Sequence, residues 1–312
     1  MSQEVPGGGA ADGPANEPPR ALPNLRMPTL GGVQFWTDHE WRRGWRIQHN
    51  AVTGHYRLLD PSNVRFAWGN LAACEQELES RQPGKSIAAK TIVMLLHGLG
   101  RSSASMQGLG KTLERETDCQ VVYFEYASTR NSIAKHAEAL RKVIAGFPPD
   151  TDICFACHSM GNIVVRHAIA DWQTAKDAAT LARIKSMVML GPPNQGAAIA
   201  KQLSKTGVFG AVTGEGGMEL GANWDKLQER LATPHCPFGI IAGRLPTYLS
   251  NPLVGAEGDF VVGVEEARLD GAADFLEVAR MHSFLMDDPE VQKAAIRFMA
   301  THKFSDASAK QP

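Results

Sequence analysis

The chain has 312 residues, 43% of them hydrophobic, with a formal net charge of −1 and five cysteines. That is enough apolar material for one large core in a single domain of ordinary size for an α/β sheet. It excludes a nucleic-acid binder working by basic excess. An odd cysteine count without paired metal spacing points to buried free thiols, not to a disulfide framework or a metal centre.

Residues 1–30 come first and differ from the rest. Pro6-Gly7-Gly8-Gly9 through Pro18-Pro19 is rich in Gly, Pro and Ala, a composition that predicts disorder. It has neither the basic start nor the apolar stretch of a signal peptide. No run in the chain reaches the length of a transmembrane helix, so a cytoplasmic location is the expectation. The folded domain is expected over 31–303, with a flexible tail over 304–312. Trp36, Trp41 and Trp45 are expected to cover the edge of the first strands. Trp45–His49 and His55–Leu59 flank a turn at Gly54 and predict a β-hairpin. Leu71, Cys74 and Leu78 share a face and predict a helix near 66–81.

Thr91–Leu96 is a continuous run of branched and other apolar residues, the pattern of a fully buried parallel strand. A helix from about Ser105 to Arg115 follows, with Met106, Leu109 and Leu113 inward. Val121 to Tyr126 reads as the next strand. Ile133, Ala137, Leu140 and Ile144 then form a helical stripe. Ile153–Ala156 is a strand, and Ile163 to Asp171 a helix. A helix near 174–185 leads to the strand Met187–Leu190. Phe238–Gly243 and Phe275–Ala279 read as the last two strands. The alternation predicts an α/β fold with a doubly wound, mostly parallel sheet and an antiparallel N-terminal hairpin.

Two turns in this series carry chemistry. Cys157-His158-Ser159-Met160-Gly161 joins a strand to a helix and puts a serine at the apex, the setting of a nucleophile elbow. Such a turn pushes the hydroxyl out of the sheet. Gly161 lets the helix approach the strand, where a side chain would clash. A serine there would equally serve as a plain helix N-cap. Upstream, His97-Gly98-Leu99-Gly100 follows the buried strand. By itself it is a glycine-rich turn; one strand and one helix before the elbow, it gains meaning.

On these segments the chain resembles the α/β-hydrolase superfamily, and within it bacterial lipase and esterase-like serine hydrolases. Gly191-Pro192-Pro193-Asn194-Gln195-Gly196, Gly258-Asp259-Phe260-Val261-Val262 and His282-Ser283-Phe284-Leu285 extend the resemblance, which covers about residues 45 to 300. The chain departs from the Gly-x-Ser-x-Gly pattern at Cys157, where a small thiol replaces the first glycine.

The resemblance implies a triad in the order serine, acid, histidine. Ser159 is then the nucleophile. Of the later histidines, His167 lies two turns into the helix after the elbow. His235 precedes a strand, at the wrong end of the sheet, and His302 stands in a polar segment. His282 follows the last strand at its C-terminal edge, where ligands bind in open α/β sheets, and is the expected base. The acid is expected at Asp259, with Glu257 as second choice; Phe260 replaces a glycine of the family segment. Glu265 and Glu266 read as solvated. The backbone N–H groups of Leu99 and Met160 are the expected oxyanion hole.

Residues 196–232 are expected to form a lid or pocket wall, with Val208, Phe209 and Met218 toward the substrate, or else an irregular connection packed on the core. The implied activity is hydrolysis of carboxylic esters with hydrophobic acyl groups, on a small-molecule or lipid ester. No metal or organic cofactor is needed. A thioesterase or acyltransferase with the same triad is the alternative, and a non-catalytic binding protein the third reading. Oligomeric state is left open.

Overall fold

The structure, a computed structural model, describes residues 27–28, 34–84, 90–196, 208–244 and 261–305, and the side chains of these except 27–28 and 208–213. The first strands are β1 (Met27–Pro28), β2 (Trp36–Arg42), β3 (Trp45–Asn50), β4 (Tyr56–Leu59) and β5 (Val64–Gly69). They form an antiparallel sheet of their own, in the order β1-β5-β4-β3-β2. The expected hairpin is β3 and β4, paired from Arg46–Leu59 to His49–Tyr56. Met27 and Pro28, placed by composition in the disordered segment, pair with Arg65 and Val64.

Helix α1 (Leu71–Arg81) begins later than the sequence suggests. Phe66 and Trp68 instead extend β5, where their rings meet Trp45 and His55. The helix starts only after Asn70, whose side chain accepts a hydrogen bond from the Ala73 N–H, the usual N-cap arrangement. Trp36 and Trp45 lie on this small sheet, against Arg57 and Phe66. Trp41 departs from the expectation: it is buried and packs edge-on against Phe147 in the main core.

The second sheet consists of β6 (Thr91–Leu96), β7 (Gln120–Phe124), β8 (Asp152–His158), β9 (Ile184–Leu190), β10 (Phe238–Gly243) and β11 (Asp274–Val278). Its order is β11-β10-β9-β8-β6-β7, and every neighbouring pair is parallel. Its connections carry α2 (Gln107–Glu116), α3 (Ile133–Ala145), α4 (Met160–Thr174), α5 (Ala178–Arg183), α6 (Val208–Leu220), α7 (Trp224–Gln228) and α8 (Val264–Ala267). The helix expected near 174–185 divides in two. Lys176 turns with φ 56°, and Asp177 caps α5 by accepting from Thr180 N. Helix α9 (Pro289–Thr301) is the last helix among the described residues, capped by Asp288 with a proline in its first turn. The folded part reaches Phe304, which is buried against Phe298.

Helices cover both faces of this sheet, because its strands are apolar on both. Ile92, Met94 and Leu96 of β6 join one core with Ile163 and Leu140; Val93 and Leu95 join the other with Leu109 and Phe298. Cys154 and Cys157 fall in opposite cores, as strand alternation requires. Among the described residues no helix is long and apolar enough to cross a membrane.

Candidate active site

Ser159 stands between β8 and α4 with φ 51° and ψ −122°. A non-glycine residue at positive φ costs on the order of 1–3 kcal/mol and persists only where its surroundings impose it. Here the surroundings are explicit. The Ser159 N–H donates to Leu190 O at 2.9 Å, and its carbonyl accepts from Asn162 N and Asn162 Nδ2. A Cβ at Gly161 would lie 2.8 Å from Leu96 Cβ and 2.9 Å from the carbonyl oxygens of Leu96 and His97. Only glycine lets α4 start this close to β6. Cys157 pairs with Leu96 and Met189 in the sheet interior. Burial pushes its thiol well above the ordinary cysteine range, so it is a neutral core side chain.

The loop after β6 lies directly against this apex. A Cβ at Gly98 would lie 3.1 Å from Ser159 Cβ and 2.9 Å from His158 Nδ1. Gly98 to Arg101 is a β-turn, closed by Arg101 N donating to Gly98 O, with Gly100 at φ 69° in the third position. Positive φ there, with Leu99 at negative φ, is the type II pattern. Among the described residues the N–H groups of Leu99 and Met160 donate to no acceptor. Two unengaged backbone donors beside a serine hydroxyl are what an oxyanion requires.

His282 opens a 3-10 turn, His282–Asp287, beyond β11. Its ring lies against Gly191, where a Cβ would come within 2.9 Å of His282 Nδ1. Gly191 follows Leu190, the residue that holds the Ser159 N–H. Ser159 and the expected base His282 therefore both border the C-terminal end of β9, at the successive residues Leu190 and Gly191. His158 Nε2 donates to His282 O at 2.9 Å, and the two rings lie 4.7 Å apart. Burial drives the His158 pKa far down, with His282 adding to the effect, so the ring is a neutral spacer. Arg101 reaches across from the β-turn and donates to Ser283 O at 3.1 Å.

Asp259 and Glu257 lie outside the described residues. Val208 and Phe209 are in α6, but their side chains also lie outside them. Met218 is half-buried in the same segment, beyond a kink at Gly214, whose φ of 65° and ψ of −160° break the helix. The described part of α6 is tightly packed. A Cβ at Gly214 would overlap the Thr129 carbonyl, and one at Gly216 would lie 3.2 Å from Met160 Sδ. Asn194 of the Pro-Pro-Asn-Gln-Gly run accepts from Arg166 of α4 and donates to Ala267 O of α8, tying the β9 loop to two helices. His167 faces Asp171 and His235 meets Leu181 O, both away from the elbow. Glu265 pairs with exposed Arg268, and Glu266 caps α8 at Gly263 N.

No family model and no curated protein sequence matches this chain. Solved structures do. A metagenomic carboxyl esterase, MGS0156, superposes with a TM-score of 0.52 at 17% identity, over 63% of this chain and 65% of that one. The mature lipase BlEst2 of Bacillus licheniformis gives 0.52 at 14% identity, over 71% and 96%. Phospholipase PlaB of Legionella pneumophila gives 0.52 at 18%, over 70% and 57%. The chain has the α/β-hydrolase fold.

On this α/β-hydrolase fold the site has a feature that sequence reasoning missed: a buried polar seam joins it to the small antiparallel sheet. Glu125, just past β7, is buried, and its Oε2 accepts from Ser103 N and Ser103 Oγ. Its Oε1 and His97 Nε2, which make no hydrogen bond, face each other at 3.4 Å. Burial raises the Glu125 pKa, but His97 and Ser103 outweigh it and hold the carboxyl below its ordinary range. Tyr126 stacks on the His97 ring and donates to His97 O at 2.5 Å. The available signal was one carboxylate inside an apolar strand pattern, Val122-Tyr123-Phe124-Glu125-Tyr126.

Proposed function

We propose that the protein is a serine hydrolase that cleaves carboxylic esters of hydrophobic acyl groups through an acyl-enzyme on Ser159. One observation carries the reading: Ser159 is held at positive φ with the Gly98 turn in contact and two unengaged N–H groups beside it. The similar structures, a carboxyl esterase, a lipase and a phospholipase, agree with it. A serine hydroxyl is a weak nucleophile until a base takes its proton during attack. His282 is that base, and Asp259 orients its imidazole and stabilises the imidazolium. Ser159 Oγ adds to the ester carbonyl, and the oxygen that gains the electron pair meets Leu99 and Met160 N–H. His282 then gives its proton to the leaving alcohol. Water repeats the sequence on the acyl-enzyme and releases the acid. Met281 and Phe284 flank His282-Ser283 and are 41% and 54% exposed, an apolar rim suited to an acyl chain.

The test is a fluorophosphonate probe, followed by p-nitrophenyl esters of increasing chain length and by acyl-CoA. Labelling at Ser159 is expected, with ester turnover lost in Ser159→Ala and in His282→Ala. Labelling that persists in Ser159→Ala would overturn the assignment. Faster turnover of acyl-CoA than of any ester would move the activity to thioesters.

A further inference from the structure

The Gly98–Arg101 turn has little with which to hold itself. Two of its four residues are glycines, with no side chain to anchor and the greatest backbone freedom of any residue. An oxyanion donor, in contrast, must stay within about 0.5 Å of its productive position. The restraint comes from outside the hydrolase core. Gln34 Nε2 donates to Arg101 O at 2.5 Å, and Gln34 Oε1 accepts from Thr129 N at 3.0 Å, Thr129 Oγ1 at 2.8 Å and Ser128 Oγ at 3.2 Å. Ser128 Oγ in turn accepts from Gly100 N at 3.0 Å. One amide side chain thus closes a ring around the turn, fixing the Gly100 N–H on one side and the Arg101 carbonyl on the other. Arg101, so held, is the residue that reaches Ser283 O next to His282.

We propose that Gln34, just before the first long strand of the small antiparallel sheet, is a positioning residue. It sets the Leu99 N–H for the oxyanion and, through Arg101, steadies the loop that carries His282. The small sheet is then part of the catalytic apparatus and not an appendage. This rests on the hydrolase reading above. It goes further in assigning a role to a residue that touches neither substrate nor triad.

The consequence differs from that of a binding residue. Gln34 would act on the transition state, in which the carbonyl oxygen is charged, and hardly on the bound ester. The experiment uses the full chain with Gln34→Ala and the near-isosteric Gln34→Glu, which keeps an acceptor for Thr129 but cannot donate to Arg101. Asn70→Ala, an exposed cap far from the ring, is the control. Readouts are kcat and KM on a p-nitrophenyl ester, the affinity of an aliphatic trifluoromethyl ketone that forms a tetrahedral oxyanion on the serine, and the melting temperature. Both Gln34 variants should lose kcat by about 10–100-fold, the scale of a misplaced catalytic group, with KM within about twofold. Ketone affinity should fall in step with kcat. Folded variants with wild-type kcat, or a kcat loss with unchanged ketone affinity, would overturn the proposal. A wild-type protein that no fluorophosphonate labels would remove the hydrolase reading itself, and this inference with it.

Discussion

Ser159 and Cys157 are two residues apart and carry opposite expectations. Ser159 is strained at an apex, beside the Leu99 and Met160 N–H groups, which meet no acceptor among the described residues. Cys157 is enclosed in the sheet, its thiol kept protonated by burial. Ser159→Ala should abolish covalent labelling with little change in melting temperature, since alanine meets the same strain at φ 51°. Iodoacetamide should leave native Cys157 unmodified, because a buried neutral thiol is inert. Cys157→Ala should keep its turnover and lose about 1 kcal/mol for the small void left behind. Rapid alkylation of Cys157 in the folded protein, with concomitant loss of turnover, would contradict this. At this scale the sequence was informative about local structure. Strand, turn and small residues around Ser159 are contiguous, and His282 is recognisable by its place after the last strand. Gln34 and Glu125 were not legible. Their partners lie 67 and 28 residues away, at Arg101 and His97, and no periodicity links residues across such separations.

Helix α4 shows how packing turns a sequence detail into a constraint on the position of Ser159. Its first turn starts against Leu96 at the end of β6 and His97 just after it, and Gly161 alone permits the distance. Gly161→Ala should gain helix propensity, worth about 0.5–1 kcal/mol. It should lose more, about 1–3 kcal/mol, by overpacking against backbone atoms that cannot move aside. The shift would tilt Ser159 and Met160 together, so turnover should fall along with stability. A variant as stable and active as wild type would show that the elbow tolerates the added methyl group. The elements of the parallel sheet were legible because each is a buried apolar run with a helical stripe after it. One boundary that failed lies between strand β5 and helix α1. Phe66 and Trp68, two residues apart, share a face on a strand but not on a helix, and their aromatic partners Trp45 and His55 lie in and next to the small sheet. Asn70 was the stop signal between strand and helix, and Asn70→Ala should cost about 1 kcal/mol of stability without altering turnover.

The molecule as a whole is two sheets joined by a buried polar seam, and the seam should impose its own pH dependence. Strand β2 runs along residues 125–127: Asp38 N donates to Glu125 O, Glu125 N donates to Asp38 Oδ2, and Ala127 N donates to Thr37 Oγ1. Asp38 Oδ1 accepts from Gln48 Nε2, and Gln48 Oε1 accepts from Arg57. Burial raises the Asp38 pKa to about 6, although Arg46 and the hydrogen bonds from Glu125 and Gln48 pull it down. An acid with a folded pKa above its unfolded value keeps its proton more tightly in the folded state. Between about pH 4 and pH 6 the folded protein therefore binds more protons than the unfolded chain, and stability falls as pH rises through that window. The full effect is on the order of 2–3 kcal/mol above pH 6, from a shift of about two units. Carboxyls held below their ordinary range, Glu125 and Asp288 among them, act in the opposite sense at lower pH, so the wild-type curve alone cannot isolate Asp38. Asp38→Asn can. It gives up one acceptor at every pH but has no proton to lose. Measured by urea unfolding, its stability relative to wild type should rise by about 2–3 kcal/mol between pH 4 and pH 7. A difference that stays constant across that range would mean that Asp38 is charged in the seam throughout, and that the two sheets are held together by an ionised carboxylate.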